Sequence, residues 1–390
     1  MENIILIATL SVLIMASPFF SRISGFPVAV VEMLLGSLAA WFGFFSEDGS
    51  LLTVIAKVGF LYLMFLAGME VNLREFGAIK KSFFQRLVIY FVILYALALL
   101  LYLMLDLSPI YIAAMPIISV GMIMALIHDH GRHEPWLSFT LTLGVIGELV
   151  SIGALTILSG SVRFGLGLEF VGTMLTLVLF LLAVIAFFKG AKVLFWWFPE
   201  VKRLIMPDNS SQDQDVRVSM ALFFVLIAAM LYLNLEVVLG AFVAGMFIAS
   251  FFEHKTDLPE KLHSFGFGFL VPIFFIYVGT TFDLKLLSDP FVVVPAILIV
   301  LGMVGIRFIA SFVALRGLFN NRETVLISLG QSMPLTFLVA VATIGLNGNL
   351  LSRDEYSALI LASMIEAIFI MLIIKLIHKK APAHPQLHKN

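Results

Sequence analysis

Long apolar runs separated by short polar turns recur from one end of the chain to the other. They fall at about 4–20, 27–45, 51–70, 83–105, 109–127, 135–159, 168–188, 216–233, 236–252, 265–282, 290–315, 323–346 and 354–378. A helix needs roughly 20 apolar residues to cross a hydrocarbon layer about 30 Å thick. Lipid offers no hydrogen bonds, so such a chain satisfies its backbone only as a helical bundle. The pattern therefore predicts an all-α integral membrane protein of about 13 transmembrane helices, numbered here as spans 1 to 13. Span 7 is expected to run on through "FFKGAKVLFWWFP", with Trp196 and Trp197 at headgroup level. The polar stretch "PDNSSQDQD" is the one linker-like segment. It sets the expected division: an N-terminal half at 1–198, a cytoplasmic linker at 199–215, a C-terminal half at 216–378 and a basic tail at 379–390. The tail is expected to be disordered.

Composition agrees with the pattern. The 390 residues are 61% hydrophobic and 13% charged, against roughly 45–50% and 25% in soluble domains. The absence of cysteine excludes disulfides, thiol catalysis and thiolate metal sites. The first run begins at Ile4 without a basic leader or a small-residue cleavage motif, and reads as a retained helix. Charge then sets orientation. Nineteen of the 24 Lys and Arg lie in loops and helix ends on the side of the C-terminus, and three (Arg163, Lys285, Arg353) lie opposite. The C-terminus is expected inside and the N-terminus outside. The net charge of −1 says nothing of partners, because the charges are segregated by loop.

The halves resemble each other. "EMLLGSLAA" (32–40) matches "EVVLGAFVA" (236–244) with an offset of 204, and "GMEVNL" (68–73) recurs as "GTTFDL" (279–284) with an offset of 211. Pro116 pairs with Pro334, and Glu148 with Glu366, both at 218. Each match moves seven spans along, an odd number, so the copies run in opposite directions across the bilayer. This is an inverted-topology repeat. Pro116 and Pro334, at corresponding places in spans 5 and 12, then read as breaks that mark a midplane binding site. The plainer alternative is two ordinary kinks.

Three charges lie deep in spans: Glu148, Glu366 and Arg307. Each costs roughly 2.5–3.5 kcal/mol at the bilayer centre on insertion scales. They call for mutual pairing, a water-filled cavity, or both. Glu148, in "GVIGELVSIGA", is the candidate ion- and proton-binding residue. A buried carboxyl can hold a proton or a cation and gains little by holding both. Gly147 lets a neighbour approach closely, and Ser119, three residues after Pro116, offers a hydroxyl ligand. A hard monovalent cation needs several such oxygens. Arg307 stays charged at any biological pH, so it is a counter-charge, for Glu366 in the first instance. A structural ion pair of Arg307 with Glu148 is the alternative. Glu32 and Glu236 are expected at the interface, Lys57 close enough to the outer surface to snorkel, and Glu70 paired with Arg74. His128, His130 and His133 lie in a loop that reads first as solvated and second as a pH sensor.

Four segments resemble bacterial monovalent cation:proton antiporters, the branch containing sodium/proton and potassium/proton exchangers. They are "FPVAVVEMLLGSLAAWFGF", "VGFLYLMFLAGMEVNLREF", "VLGAFVAG" and "VPIFFIYVGTTFDL". The resemblance covers nearly the whole chain. It implies a homodimer, with a core of spans 4–6 and 11–13 moving against a dimerisation part, and broken spans 5 and 12 crossing near the ion. The family's paired acids fall on Gly147 and Glu148, its basic residue in span 11 on Arg307, and its threonine–serine pair on Ile118 and Ser119. The lost acid and the arginine favour one proton for one cation. Without the threonine the ion is open, sodium before potassium.

The expected activity is electroneutral cation/proton exchange across a bacterial inner membrane. No cofactor, nucleic acid partner or enzymatic reaction is expected, because the spans carry no serine–histidine, paired-aspartate or metal-ligand motif. The rival reading is a ligand-gated potassium efflux system or ion channel of the same fold.

Overall fold

A computed structural model describes residues 2–45, 50–70, 81–120, 123, 134–165, 167–198, 200–201, 213–235, 237–252, 255 and 257–379. Its helices follow the apolar runs one for one. Spans 1 to 4 are Glu2–Ser24, Val28–Trp41, Ser50–Met69 and Lys81–Leu105. Span 5 opens as Ile110–Ala114 and then unwinds, and spans 6 to 9 are Pro135–Phe164, Leu168–Trp197, Gln214–Tyr232 and Val237–Phe251. Span 10 joins Asp257–Phe265 to Val271–Thr280 through a π-helical stretch, Gly266–Leu270. Span 11 is Pro290–Ala314, span 12 is split into Asn321–Gly330 and Leu335–Asn347, and span 13 is Arg353–Lys379. Among the described residues nine helices are long and apolar enough to cross a membrane, and spans 2 and 9 are shorter apolar helices. The protein is a multi-pass membrane bundle. The histidine loop, Glu236, Arg74, most of the linker and all but Lys379 of the tail lie outside the described residues.

Glycines set the closest helix crossings. Spans 2 and 10 meet where Gly36 lies on the carbonyl of Ile276 and Gly279 on the carbonyl of Met33. Spans 3 and 9 meet where Gly68 lies on the carbonyl of Phe242 and Gly245 on the carbonyl of Phe65. A Cβ at any of the four would run into backbone oxygen. In a bilayer such small-residue contacts replace the hydrophobic effect as the source of helix association. One residue correspondence turns the first pair of contacts into the second: residues 33 and 36 go to 242 and 245, and 65 and 68 go to 276 and 279. The inverted repeat is thus written in the packing.

The packing also corrects its register. Span 2 maps onto span 9 with an offset of 209, five residues from the 204 of the sequence match. Gly240, the sequence mate of Gly36, packs instead on Met230 and the carbonyl of Leu226 in span 8. Runs of Leu, Gly and Ala match one another at several registers; the crossing selects one.

Polar side chains tie these helices further. The Ser37 hydroxyl reaches the carbonyls of Gly279 at 2.8 Å and Met33 at 3.1 Å. Pro18 cannot donate to the carbonyl of Ile14, and the Ser17 hydroxyl takes that place at 3.1 Å. The same hydroxyl lies 3.3 Å from Oε1 of Glu32. Glu32 is therefore buried, 3% exposed between spans 1 and 2, and not interfacial as its place near a span end suggested. Glu70 meets Nε2 of His263 at 3.3 Å. In the other group of spans, Arg86 of span 4 donates to the carbonyls of Ala314 and Arg316 at the end of span 11, at 3.1 and 2.9 Å.

Gly245→Ala should lower the unfolding temperature of the detergent-purified protein, since overpacking costs about 1–3 kcal/mol. Gly172→Ala, where a Cβ meets nothing, should leave it within the error of the melt.

Candidate functional site

Breaking a helix in a membrane leaves main-chain donors and acceptors without partners, and each costs several kcal/mol unless something inside the protein takes it. Spans 5 and 12 are both broken, the first at Met115–Ser119 and the second at Gln331–Pro334. The prolines explain where: Pro116 and Pro334 each remove a donor and disturb the preceding turn. The site is the set of side chains that take up what these breaks expose.

Span 6 supplies two acceptors. The N–H of Ile118 donates to the hydroxyl of Ser151 at 3.0 Å, and the N–H of Val120 donates to Oε2 of Glu148 at 3.2 Å. Ser151 and Glu148 lie three residues apart, so one helical face presents both to the break. Gly147 makes this approach possible, because a Cβ there would lie 2.7 Å from the end of the Ile118 side chain. Glu148 is 1% exposed, and its Oε1 has no hydrogen-bond partner among the described residues. Ser119 is buried within the break.

Span 11 supplies the donors. Arg307 is fully buried and gives all its hydrogen bonds to main-chain carbonyls. Nε donates to Gln331 in the span 12 break at 2.9 Å, Nη2 to Ile117 in the span 5 break, and Nη1 to Met303 one turn back at 2.7 Å. A single guanidinium therefore pins both breaks. Gln331 extends the network, its Nε2 donating to the carbonyl of Thr140 in span 6 at 2.7 Å.

Arg307 is in ion-pair contact with neither carboxylate among the described residues. Glu366 of span 13 interacts with it through space, by charge. Glu366 is fully buried, and both of its carboxyl oxygens are without hydrogen-bond partners among the described residues. The structure thus brings Pro116, Ser119, Gly147, Glu148, Arg307 and Pro334 to the two breaks and the helices beside them, with Glu366 acting on the arginine by charge. Sequence reasoning gave no role to Ser151, Thr140 or Gln331. The available signal was a polar residue within a few positions of each breaker, or one turn from Glu148. Chemically, the crossing brings together a carboxylate oxygen without a partner among the described residues, the Ser119 hydroxyl and unwound backbone, oxygens of the kind a small hard cation takes.

Comparisons with known proteins identify the family and the fold. The family model described as sodium/hydrogen exchanger, transmembrane, matches residues 6–380. A protein named putative Na(+)/H(+) antiporter YjbQ, from Bacillus subtilis, is 27% identical over 376 residues, covering 91% of this chain and 59% of its own length. The chain thus spans somewhat under two thirds of that relative. A Bacillus cereus protein named Na(+)/H(+)-K(+) antiporter GerN is 23% identical, covering 81% of this chain and 80% of its own. The solved sodium proton antiporter MjNhaP1 of Methanocaldococcus jannaschii superposes with a TM-score of 0.66 at 15% identity, over 97% of this chain and 99% of that one, and shares the fold.

Arg307→Gln strips the donors from two buried carbonyls, each worth about 1–3 kcal/mol when unpaired. The expected loss of stability is roughly 2–6 kcal/mol by detergent unfolding. Ser151→Ala, which orphans one N–H, should cost about 1–3 kcal/mol, and Thr176→Ala on the exposed face of span 7 close to nothing.

Proposed function

This chain belongs to the sodium/hydrogen exchanger family, and from that premise we propose that it exchanges a monovalent cation for a proton across the membrane it spans. The observation that carries the reading is Glu148: one oxygen is held by the N–H of Val120 and the other has no partner among the described residues, at the crossing of two broken spans. The free oxygen is where a proton and a cation compete. Ser119 and unwound backbone complete the cation's shell, and Arg307 is the fixed counter-charge, beside Glu366, that keeps the crossing intact when Glu148 is neutral.

Sodium is the first candidate and potassium the second, an order to which the sodium–potassium name of the Bacillus cereus relative lends support. The acid pair of the family is reduced to one here, Gly147 then Glu148, so the exchange is one proton for one cation and electroneutral. Access alternates by an elevator movement of spans 4–6 and 11–13 against the remaining spans, which form the contact of a homodimer. The C-terminus lies inside and the N-terminus outside a bacterial cytoplasmic membrane. A cavity of about 600 Å³, lined by Ser37, Trp41, Thr53, Tyr277, Asp283 and Arg353, opens on the face assigned to the outside. Near it, the hydroxyls of Thr281 in span 10 and Tyr356 in span 13 lie 2.9 Å apart. That hydrogen bond links the two moving parts.

Purified protein in vesicles should move protons against an imposed sodium gradient. Glu148→Gln should reduce this to the level of empty vesicles while the protein elutes and melts as a folded species. Undiminished exchange in that variant would remove Glu148 from the role. The equilibrium should ignore an imposed membrane potential; a strong dependence would refute one-for-one exchange, and cation flux without proton flux would favour the channel reading.

A further inference from the structure

We propose that Glu366 is a second proton-binding carboxyl, and that it sets, through Arg307, how firmly the crossing of spans 5 and 12 is held. It acts as a positioning residue, and the proposal rests on the exchange reading above.

The argument starts from what Glu366 lacks. It is 0% exposed and neither carboxyl oxygen has a hydrogen-bond partner among the described residues. An ionised carboxylate in such surroundings is very costly unless paired. The residue able to pair with it, Arg307, lies on span 11, which packs along span 13, and the two groups interact by charge. Yet the guanidinium is spent on the carbonyls of Gln331, Ile117 and Met303. The arrangement suits a Glu366 that carries its proton: a neutral acid leaves Arg307 to the two breaks.

Removing that proton changes the contest for Arg307. A guanidinium makes charge-assisted bonds to either acceptor, but a carboxylate adds a full opposite charge and a second oxygen that matches the guanidinium fork. The guanidinium is then drawn toward span 13 and loosens its hold on Ile117 and Gln331. The unwound backbone beside Glu148 gains freedom to wrap a cation. Two discrete partners for one guanidinium make a two-state element, and the proton on Glu366 selects between them.

The other groups around span 13 leave this contest undisturbed. Span 13 packs on spans 2, 11 and 12. Span 11 brings Arg307, with Tyr90 and Tyr95 of span 4 acting on that arginine. Span 12 carries Arg322 and Glu323, both in its first turn, where Arg322 donates to the carbonyl of Ile377 and Glu323 caps its own helix. Span 2 carries Glu32, held by Ser17 of span 1. Span 13 itself carries Arg353, Asp354 and Glu355 at its start and Lys375 and Lys379 in its last turns.

Cation affinity then depends on two protons: one competes at Glu148 and is exchanged across the membrane, and the other, on Glu366, returns to the side it left, so the exchange stays one for one. A single linked proton lets the apparent KM for sodium fall by at most about tenfold per pH unit. In vesicles the wild type should exceed that slope over part of the pH range. Glu366→Gln, which fixes the neutral form, should fall back to the one-proton slope, and Glu366→Asp should keep the steeper one. In sodium-free detergent solution, the acid-to-alkaline infrared difference spectrum should show loss of a protonated-carboxyl band. Glu148→Gln removes the contribution of Glu148 itself; the band should persist in that variant and be lost when Glu366→Gln is added to it. A wild-type slope no steeper than tenfold overturns the proposal, as does a Glu366→Gln slope equal to wild type, or a band in Glu148→Gln that is unchanged when Glu366→Gln is added. If sodium moves no protons in the wild type, the exchange reading fails instead, and the infrared arm still decides Glu366.

Discussion

The fold depends on one guanidinium. Arg307 donates to the exposed carbonyls of two interrupted helices at once, and without it the crossing would hold two orphaned acceptors in a dry interior. Interrupted helices are useful because they bring backbone to an ion. They are permissible only where the protein itself repays the lost hydrogen bonds. Here the repayment is divided by chemistry. Freed carbonyls go to the arginine of span 11, and freed N–H groups go to Ser151 and Glu148 of span 6. Glu148 thereby has a structural reason to stand at the break, separate from any ion. Its Oε2 caps an amide, and its Oε1 is available.

The remaining helices are built on a different principle. Spans 2, 3, 9 and 10 approach through glycines laid on backbone carbonyls, contacts that any added methyl would break. Such surfaces have few alternative arrangements and behave as a rigid body. The crossing of spans 5 and 12 is held by hydrogen bonds to polar side chains, which exchange partners at much lower cost. The molecule thus places its tight apolar packing away from the site and its replaceable contacts around it.

Much of this was legible in the sequence, and the reasons are specific. The thirteen spans follow from apolar run length, because a bilayer imposes one scale on every helix. Pro116 and Pro334 marked the breaks because proline acts on the backbone locally, and Glu148 stood out because nothing charged surrounds it. What stayed hidden was pairing. Arg307 looked like a partner for a carboxylate, since charge seeks charge; its actual acceptors are main-chain carbonyls, which no residue letter announces. Ser151 and Gln331 were concealed in the same way, their partners being an N–H and a C=O. Glu32 seemed interfacial by position; it is buried beside Ser17, whose hydroxyl also covers the carbonyl of Ile14 that Pro18 leaves without a donor. The register of the repeat was misread because Gly, Leu and Ala recur too often to fix it.

The choice of arginine over lysine at this position follows from geometry. A lysine has one nitrogen, a compact point charge whose three donors radiate from a single atom. Arg307 reaches carbonyls in span 5, span 12 and its own helix from three separate nitrogens. A lysine could hold one break and would leave the other to itself. The same fork brings a constraint, because a guanidinium does not give up its proton. Any proton held at this depth must therefore reside on an acid, so the side chain that secures two broken helices leaves the proposed exchange to the carboxyls.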